Sequence, residues 1–283
     1  MDSCLVGSEM CIRDSHGFLG PMSNPTTVVA IPARLESKRL PRKLLADVGG
    51  KPLLQRVLER SLQAQKPSAV VLCTDSEELR DKVSQWPLPR PVPVVMTPTS
   101  CSSGSERLAC ALPQLLQCAG GADPASCWVL NVQGDQPFVD PQIIDAMAER
   151  CCAASTDVLT PVYRLPAEKV HNPAVVKCLL AHDGRCLTFS RSALPHVRDV
   201  PAEQWHAHAP YWGHVGIYGY RAEVLAQWNQ LPNSPLEAIE KLEQLKLLEA
   251  GIAIGSFPVE ADSLSVDTAE QLEEARMIAA QLR

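Results

Sequence analysis

The sequence predicts an α/β fold: a single domain with a mostly parallel, doubly wound sheet and a smaller antiparallel β element. Three observations predict it. Short β-branched runs alternate with amphipathic helical segments through the first 150 residues, the pattern of a parallel sheet with helices on its faces. Between 157 and 220 the strand-like runs succeed one another with loops between them, which reads as an antiparallel excursion. A chain of 283 residues, 46% hydrophobic and 20% charged, buries enough apolar surface to fold without disulfides or a structural metal.

The elements follow in order. TTVVAI (26–31) is a buried strand ending at Pro32, followed by the polar, basic stretch 33–43. Gly49-Gly50 makes a turn, and Pro52 sits where a helix can begin. Leu53, Leu54, Val57, Leu58 and Leu62 recur at helical spacing, giving a helix over 52–64. SAVVLCT (68–74) is the second strand. Ser76 with Glu77 and Glu78 opens a helix with acids in its first turn. Four prolines between Trp86 and Pro93 mark a loop before a third strand over 92–96. A helix over 103–116 is expected to break or kink near Pro113. WVLNV (128–132) is strand four, ending at Gln133-Gly134-Asp135, and 141–152 is a helix.

In the second half, 157–163, 174–180 and 214–220 read as strands. LEAIEKLEQLKLLE (236–249) is the strongest helical pattern in the chain, stopped by Gly251. A strand over 252–257 and a closing helix over 268–281 follow.

Composition excludes several classes. A net charge of −6 does not indicate a nucleic-acid-binding surface. No apolar run reaches the roughly 18 residues a bilayer span needs. The 11 cysteines show neither a C-x-x-C nor a zinc-ligand spacing. They read as small apolar residues of a reduced, cytoplasmic protein. Residues 1–21 lack the basic and apolar regions of a secretory signal. They read as a non-native or disordered leader before Met22, with residues 22–283 forming the domain. Without the leader 9 cysteines remain and the net charge is −4, because three acidic residues and one basic residue leave with it.

Five constellations could carry chemistry. PARLESKRLPRK (32–43) places Arg34, Lys38, Arg39, Arg42 and Lys43 directly after a strand, at the edge where open α/β sheets bind ligands. So many cations match a polyphosphate, or else form a solvated basic loop. The stretch is neither G-x-G-x-x-G nor a Walker A loop. Asp135, in NVQGDQP (131–137), lies just past another strand. A carboxylate there can hold Mg²⁺ beside substrate phosphates, or simply cap a turn. Asp267 lies between the last strand and helix; alone it reads as a helix N-cap, and with Asp135 it could complete a metal site. Ser103 and Gly104 open a helix whose free N–H groups suit an anion or a base edge, or ordinary capping. Arg191 could clamp a carboxylate. His214, near Tyr218 and Tyr220, reads first as a structural histidine, and Glu243, beside Gln244, by default as part of a solvated helix face.

IPARLESKRLPRK, GGKPLLQRVLER, CTDSEELR, SGSERL, NVQGDQP, NPAVVK, FSRSALP, HVGIYGY, SPLEAIEKLEQLKLLE and SVDTAEQLE stand in this order. In that order they closely resemble the 3-deoxy-manno-octulosonate cytidylyltransferases, or CMP-Kdo synthetases, over residues 26–282. The resemblance implies a nucleotidyltransferase-type, Rossmann-like fold, commonly a homodimer. It implies transfer of CMP from CTP to the sugar acid Kdo with Mg²⁺, releasing pyrophosphate, for lipopolysaccharide synthesis. By resemblance, Arg34 and Lys43 bind the triphosphate with Arg39 in support, and Asp135 and Asp267 ligate Mg²⁺. Ala33, Ser103, Gly104 and Gln133 lie where the family holds the nucleotide. Gln133, Arg191, His214, Tyr218, Glu243 and Gln244 form the sugar-acid pocket. The catalytic set is Arg34, Lys43, Asp135 and Asp267, with no cysteine in it.

The chain departs from the usual family pattern in four places. Arg42-Lys43-Leu44 stands where Gly-Lys-Pro is common. PTSCSS (98–103) replaces a stretch carrying an Arg and a His-Gln pair. Thr188 replaces an aromatic and His196 a Trp. The alternatives within this reading are a modified or related sugar acid (8-amino-Kdo or a sialic acid) and a catalytically silent relative. An RNA- or polyphosphate-binding role is opposed by the negative charge and the lack of a stacking stretch.

Overall fold

The computed structural model describes residues 25–37, 39–260 and 263–282. The expected leader, Met22 and Lys38 lie outside the described residues. β1 (Thr26–Ala33) is buried from its second residue onward and runs two residues further than expected, through Pro32. Alternate side chains divide between two cores. Val29 and Ile31 join one, Val28 and Ala30 the other, as the period of two along a strand requires.

β2 (Ala69–Thr74), β3 (Val94–Met96) and β4 (Cys127–Asn131) are all parallel to this part of the sheet. β5 (Val158–Arg164), β6 (Lys177–Leu180), β7 (Cys186–Ser190), β8 (Trp212–His214), β9 (Tyr218–Arg221) and β10 (Ile254–Val259) complete it. The strand order is β3-β2-β1-β4-β9-β5-β8-β6-β7, with β10 added parallel to β5. The antiparallel part is therefore continuous with the parallel sheet, with β9 bridging β4 and β5.

Helices cover both faces. α1 (Leu53–Ser61) and α4 (Pro141–Cys151) bury Leu53, Leu54, Val57, Leu58, Ile143, Ile144 and Met147 in the core that contains Ile31. α2 (Glu77–Gln85) adds Leu79 and Val83 to the same side. α3 (Gly104–Cys118) lies on the opposite face with Leu108, Leu112 and Leu115. It continues unbroken through Pro113, contrary to expectation; Pro113 lies on its exposed side. A short turn α5 (Trp205–His208) and α6 (Ala222–Ala226) follow.

Two further expectations are corrected. The segment 214–220 is two strands, because Ile217 N–H bonds Val215 C=O at 2.7 Å and turns the chain between β8 and β9. The strongest helical pattern is likewise two helices, α7 (Pro235–Glu240) and α8 (Gln244–Glu249). Lys241 between them is left-handed, with φ 56°. The break buries Leu242 and Leu245 with α3 and β9, an advantage a straight helix would forgo. α9 (Ala269–Gln281) closes the chain.

Candidate active site

β1 leads to β2 on one side and pairs with β4 on the other, so the strand order reverses between β1 and β4. A crevice opens at the carboxyl ends of strands at such a point. The 33–43 loop leaves β1 there, and the 132–136 turn leaves β4. Val132 N–H continues the ladder by bonding Ala30 C=O at 3.1 Å. Gly134 sits so close to β1 that a Cβ atom would lie 3.0 Å from Pro32 O. That approach holds the two loops together. A cavity of about 860 Å³ lies above them. Ala33, Arg34, Arg39, Lys43, Ser103, Gly104, Gln133, Asp135, Glu243 and Asp267 all line it.

The cationic loop is shaped by a left-handed residue, Arg42 (φ 58°), followed by a single 3-10 turn over Lys43–Leu45. Leu44 is buried and anchors the turn. The two cations before it point apart. Arg42 turns away from the cavity to Glu78 on α2, 2.6 Å distant, so the extra cation of this loop is spent on a surface ion pair. Lys43 points inward. Its ammonium lies 2.7 Å from both Asp135 Oδ2 and Asp267 Oδ1. Arg39 reaches the other Asp267 oxygen at 2.7 Å. Arg34 stands exposed on the cavity wall without an ion-pair partner among the described residues.

Asp135 and Asp267 are 132 positions apart in sequence, and main chain brings them together. Val266, fully buried, donates its N–H to Asp135 C=O at 2.9 Å. Asp267 is not the N-cap of α9. Thr268 caps it, with Gln271 completing a capping box, and Gln271 Oε1 also accepts from Asp267 N–H at 2.8 Å. The Asp267 carboxylate is thereby left for the cavity. Burial pushes its pKa up, but Lys43 and Arg39 outweigh burial and hold it below the usual carboxylate range. Burial likewise pulls Lys43 down, and Asp135 with Asp267 more than reverse this. Both charges therefore persist at neutral pH.

Two carboxylates converging on one cation suit Mg²⁺, which commonly takes one or two protein carboxylates plus substrate phosphates. Among the described residues no group of three or more His, Cys, Asp or Glu side chains is placed to hold a metal ion, so Asp135 and Asp267 are a pair that substrate oxygens would have to complete.

The start of α3 supplies the opposite wall. Ser103 Oγ accepts from Glu106 N–H at 3.1 Å, as an N-cap. The next two amides, Gly104 and Ser105, point to the Glu243 carboxylate at 3.4 and 3.3 Å. Glu243 is thus no solvated helix residue; the break at Lys241 lets it serve as the anion at this helix end.

The other sugar-pocket candidates, Arg191, His214, Tyr218 and Gln244, do not line this cavity. His214 is buried, with Nε2 3.0 Å from Thr160 Oγ1. Burial pulls its pKa down to about 3, so it is neutral. Its ring meets Phe189 edge-on and lies 5.2 Å from Tyr218, which stacks on Tyr220. Burial, Tyr220 and the nearby Glu243 charge all raise the Tyr218 hydroxyl. Gln244 is buried, and its Nε2 has no hydrogen-bond partner among the described residues. Arg191 donates to Glu240 C=O at 2.8 Å and Pro173 C=O at 3.2 Å.

Sequence reasoning missed Arg107, Cys101 and Ser102 in the lining. Arg107 is almost wholly buried and bonds Asp75 Oδ2 at 2.8 Å, at the end of β2. Its place one turn after Ser103 on the same helix face was the available signal.

Comparison with known proteins settles the family. A family model described as cytidylyltransferase matches residues 28–254. The 3-deoxy-manno-octulosonate cytidylyltransferase of Polynucleobacter necessarius is 40% identical over 263 residues, covering 90% of this chain and 96% of that protein. The enzyme of that name from Myxococcus xanthus is 38% identical over 259 residues, covering 91% and 98%. The chain belongs to the 3-deoxy-manno-octulosonate cytidylyltransferase family. Among solved structures, a CMP:2-keto-3-deoxy-manno-octonic acid synthetase complexed with CTP superposes with a TM-score of 0.79 at 33% identity, covering 91% of this chain and all of that one. A glucose-1-phosphate thymidylyltransferase described from Bacillus anthracis shares the fold, with a TM-score of 0.62, at 15% identity over 91% of this chain and 97% of that one. The nucleotidyltransferase fold expected for the family is thus the fold observed.

Proposed function

We propose that this chain transfers CMP from CTP to Kdo, forming CMP-Kdo and pyrophosphate. The observation that carries the reading is the convergence of Lys43, Arg39, Asp135 and Asp267 at the β1/β4 crevice, beside Arg34, which has no ion-pair partner among the described residues. That is a site for a polyphosphate and its counter-cation, in a chain whose family relatives carry this activity by name.

The anomeric C2 hydroxyl of Kdo is the nucleophile. Its oxygen bonds the α-phosphorus, its proton passes to solvent water, and the bond from that phosphorus to the pyrophosphate oxygen breaks. Arg34, Arg39 and Lys43 bind the β- and γ-phosphates and stabilise the charge that grows on the leaving pyrophosphate. Asp135 and Asp267 would hold Mg²⁺, whose chemistry is to neutralise phosphate charge and lower the pKa of a nearby hydroxyl. Ser103 and Gly104 border the nucleoside side, with Gln133 between the nucleotide and the sugar acid. Arg191, His214, Tyr218, Glu243 and Gln244 orient the sugar acid. The unpartnered Gln244 amide supports a polar ligand there. Every step proceeds without a nucleophilic side chain.

The same reading makes the enzyme a cytoplasmic homodimer in lipopolysaccharide synthesis. The nine described cysteines are free. Leu187 on β7 and Leu236 and Ile239 on α7 are exposed apolar residues available to a second copy. No described helix is long and apolar enough to cross a membrane.

The test is direct product analysis. With CTP, Kdo and Mg²⁺ the protein is expected to yield CMP-Kdo by mass spectrometry, and Asp135→Ala to yield almost none while keeping its fold. Absence of CMP-Kdo with the unaltered protein, or near-normal turnover in Asp135→Ala, overturns the reading.

A further inference from the structure

Lys177 and Glu240 take no part in the chemistry just described, yet both are built around Arg191. Lys177 opens β6 and has no exposed surface. Its ammonium donates to three main-chain carbonyls: Asn172 at 2.9 Å, Val175 at 2.7 Å and Arg191 at 2.5 Å. A buried lysine whose protons all go to carbonyls fixes the path of those three backbone segments relative to one another. Glu240 closes the same frame from the other side. Its carboxylate accepts from Ser190 Oγ at 2.7 Å and Arg191 N–H at 3.0 Å, while its carbonyl accepts from Arg191 Nε. The remaining guanidinium contact, Pro173 C=O, belongs to the turn that Lys177 pins.

Glu240 is also the last residue of α7, three positions before Glu243. The left-handed Lys241 that follows it turns the chain so that Glu243 meets the start of α3. One residue therefore joins Arg191 at the end of β7 to Glu243 and Gln244 at the start of α8.

We propose that Lys177 and Glu240 are positioning residues that set the Arg191 guanidinium at a fixed distance from Glu243 and Gln244, and so set the affinity for the sugar-acid carboxylate. The proposal rests on the reading of Arg191 as a sugar-acid clamp. A guanidinium held by two main-chain carbonyls, on a backbone fixed by the Glu240 carboxylate, arrives already oriented for an incoming carboxylate, so binding loses little side-chain entropy. Neither Lys177 nor Glu240 is expected to touch either substrate.

The experiment measures KM for Kdo and for CTP, and kcat, in the full chain. The variants are Glu240→Gln, Lys177→Met, Lys177→Arg and Arg191→Ala. Glu240→Gln keeps size and fold and is expected to raise KM for Kdo about tenfold with KM for CTP within about twofold. Lys177→Arg, which keeps the donors, should recover most of the loss seen in Lys177→Met. Should Lys177→Met fail to fold, Glu240→Gln decides alone. If Arg191→Ala raises KM for Kdo but Glu240→Gln and Lys177→Met move both KM values equally or neither, the positioning proposal is overturned. If Arg191→Ala itself leaves KM for Kdo unchanged, the clamp reading fails instead.

Discussion

Asp267→Asn separates the chemistry of the site from the stability of the fold. The change removes one charge and keeps the shape. In the folded protein Asp267 accepts from Lys43 and Arg39, each at 2.7 Å, and its side chain is one-third exposed. Lys43 keeps Asp135 after the change, and Arg39 is already mostly in water. The lost charge-assisted contacts therefore cost about 1–2 kcal/mol after solvent screening, toward the low end for such bonds. For a chain of this size that is a fall of roughly 3–6 °C in Tm. Catalysis should suffer far more, because one of two carboxylates facing the triphosphate is gone: about a thousandfold or greater loss in kcat, or ~4 kcal/mol of transition-state stabilisation. Circular dichroism melts and a continuous pyrophosphate assay on the same preparation give both numbers. The pH dependence adds a signature. The Asp267 pKa lies below its unfolded value, so its stabilisation is present above the unfolded pKa and is lost as pH falls through the folded one. In acid, Asp267→Asn should lose less stability than the unaltered protein. A variant that keeps a tenth or more of the normal kcat, or that loses activity only by unfolding, refutes the reasoning.

Three other outcomes are expected. His214 is neutral in the fold with a pKa near 3 but charges in the unfolded chain below about 6.5, so stability falls with pH at up to ~1.4 kcal/mol per unit below that point. His214→Gln should remove that slope in melts between pH 7.5 and 5, and an unchanged slope would show that His214 is not buried neutral. Gly134→Ala forces a Cβ to 3.0 Å from Pro32 O and should displace the 133–135 turn, lowering kcat/KM by about 10–100-fold; unchanged kinetics would mean the close approach does not position Asp135. A chain beginning at Met22 should match the full chain in Tm and kcat, and a large loss of Tm would show that residues 1–21 belong to the fold.

The parallel half of the fold was legible because each element carries its own signal. The β-branched run 26–31 and the 3.6 spacing of Leu53, Leu54, Val57 and Leu58 are local facts that burial then respects. The failures arose where tertiary contacts overrode local pattern. Residues 236–249 have an uninterrupted helical rhythm, yet burial of Leu242 and the pull of the α3 amides on Glu243 break it at Lys241. Pro113 was expected to disturb α3, but on the exposed side its missing N–H is tolerated. In the site, Lys43, Asp135 and Asp267 were legible as residue types at strand ends. Their meeting was not, since Lys43 and Asp267 stand 224 residues apart and no local spacing encodes such a contact. The role of Thr268 in freeing Asp267 from capping was readable in principle, as a Thr-x-x-Gln box one residue on. Arg42 illustrates the reverse case. Its charge made it a phosphate candidate, while its partner Glu78 lies on a separate helix.

The most direct measurement is pyrophosphate release for CTP, ATP, GTP and UTP, each crossed with Kdo, 8-amino-Kdo and a sialic acid, with and without Mg²⁺. The account predicts release with CTP and Kdo, dependent on Mg²⁺. Turnover with another nucleotide or another sugar acid in preference to that pair, or no turnover in any combination, contradicts it.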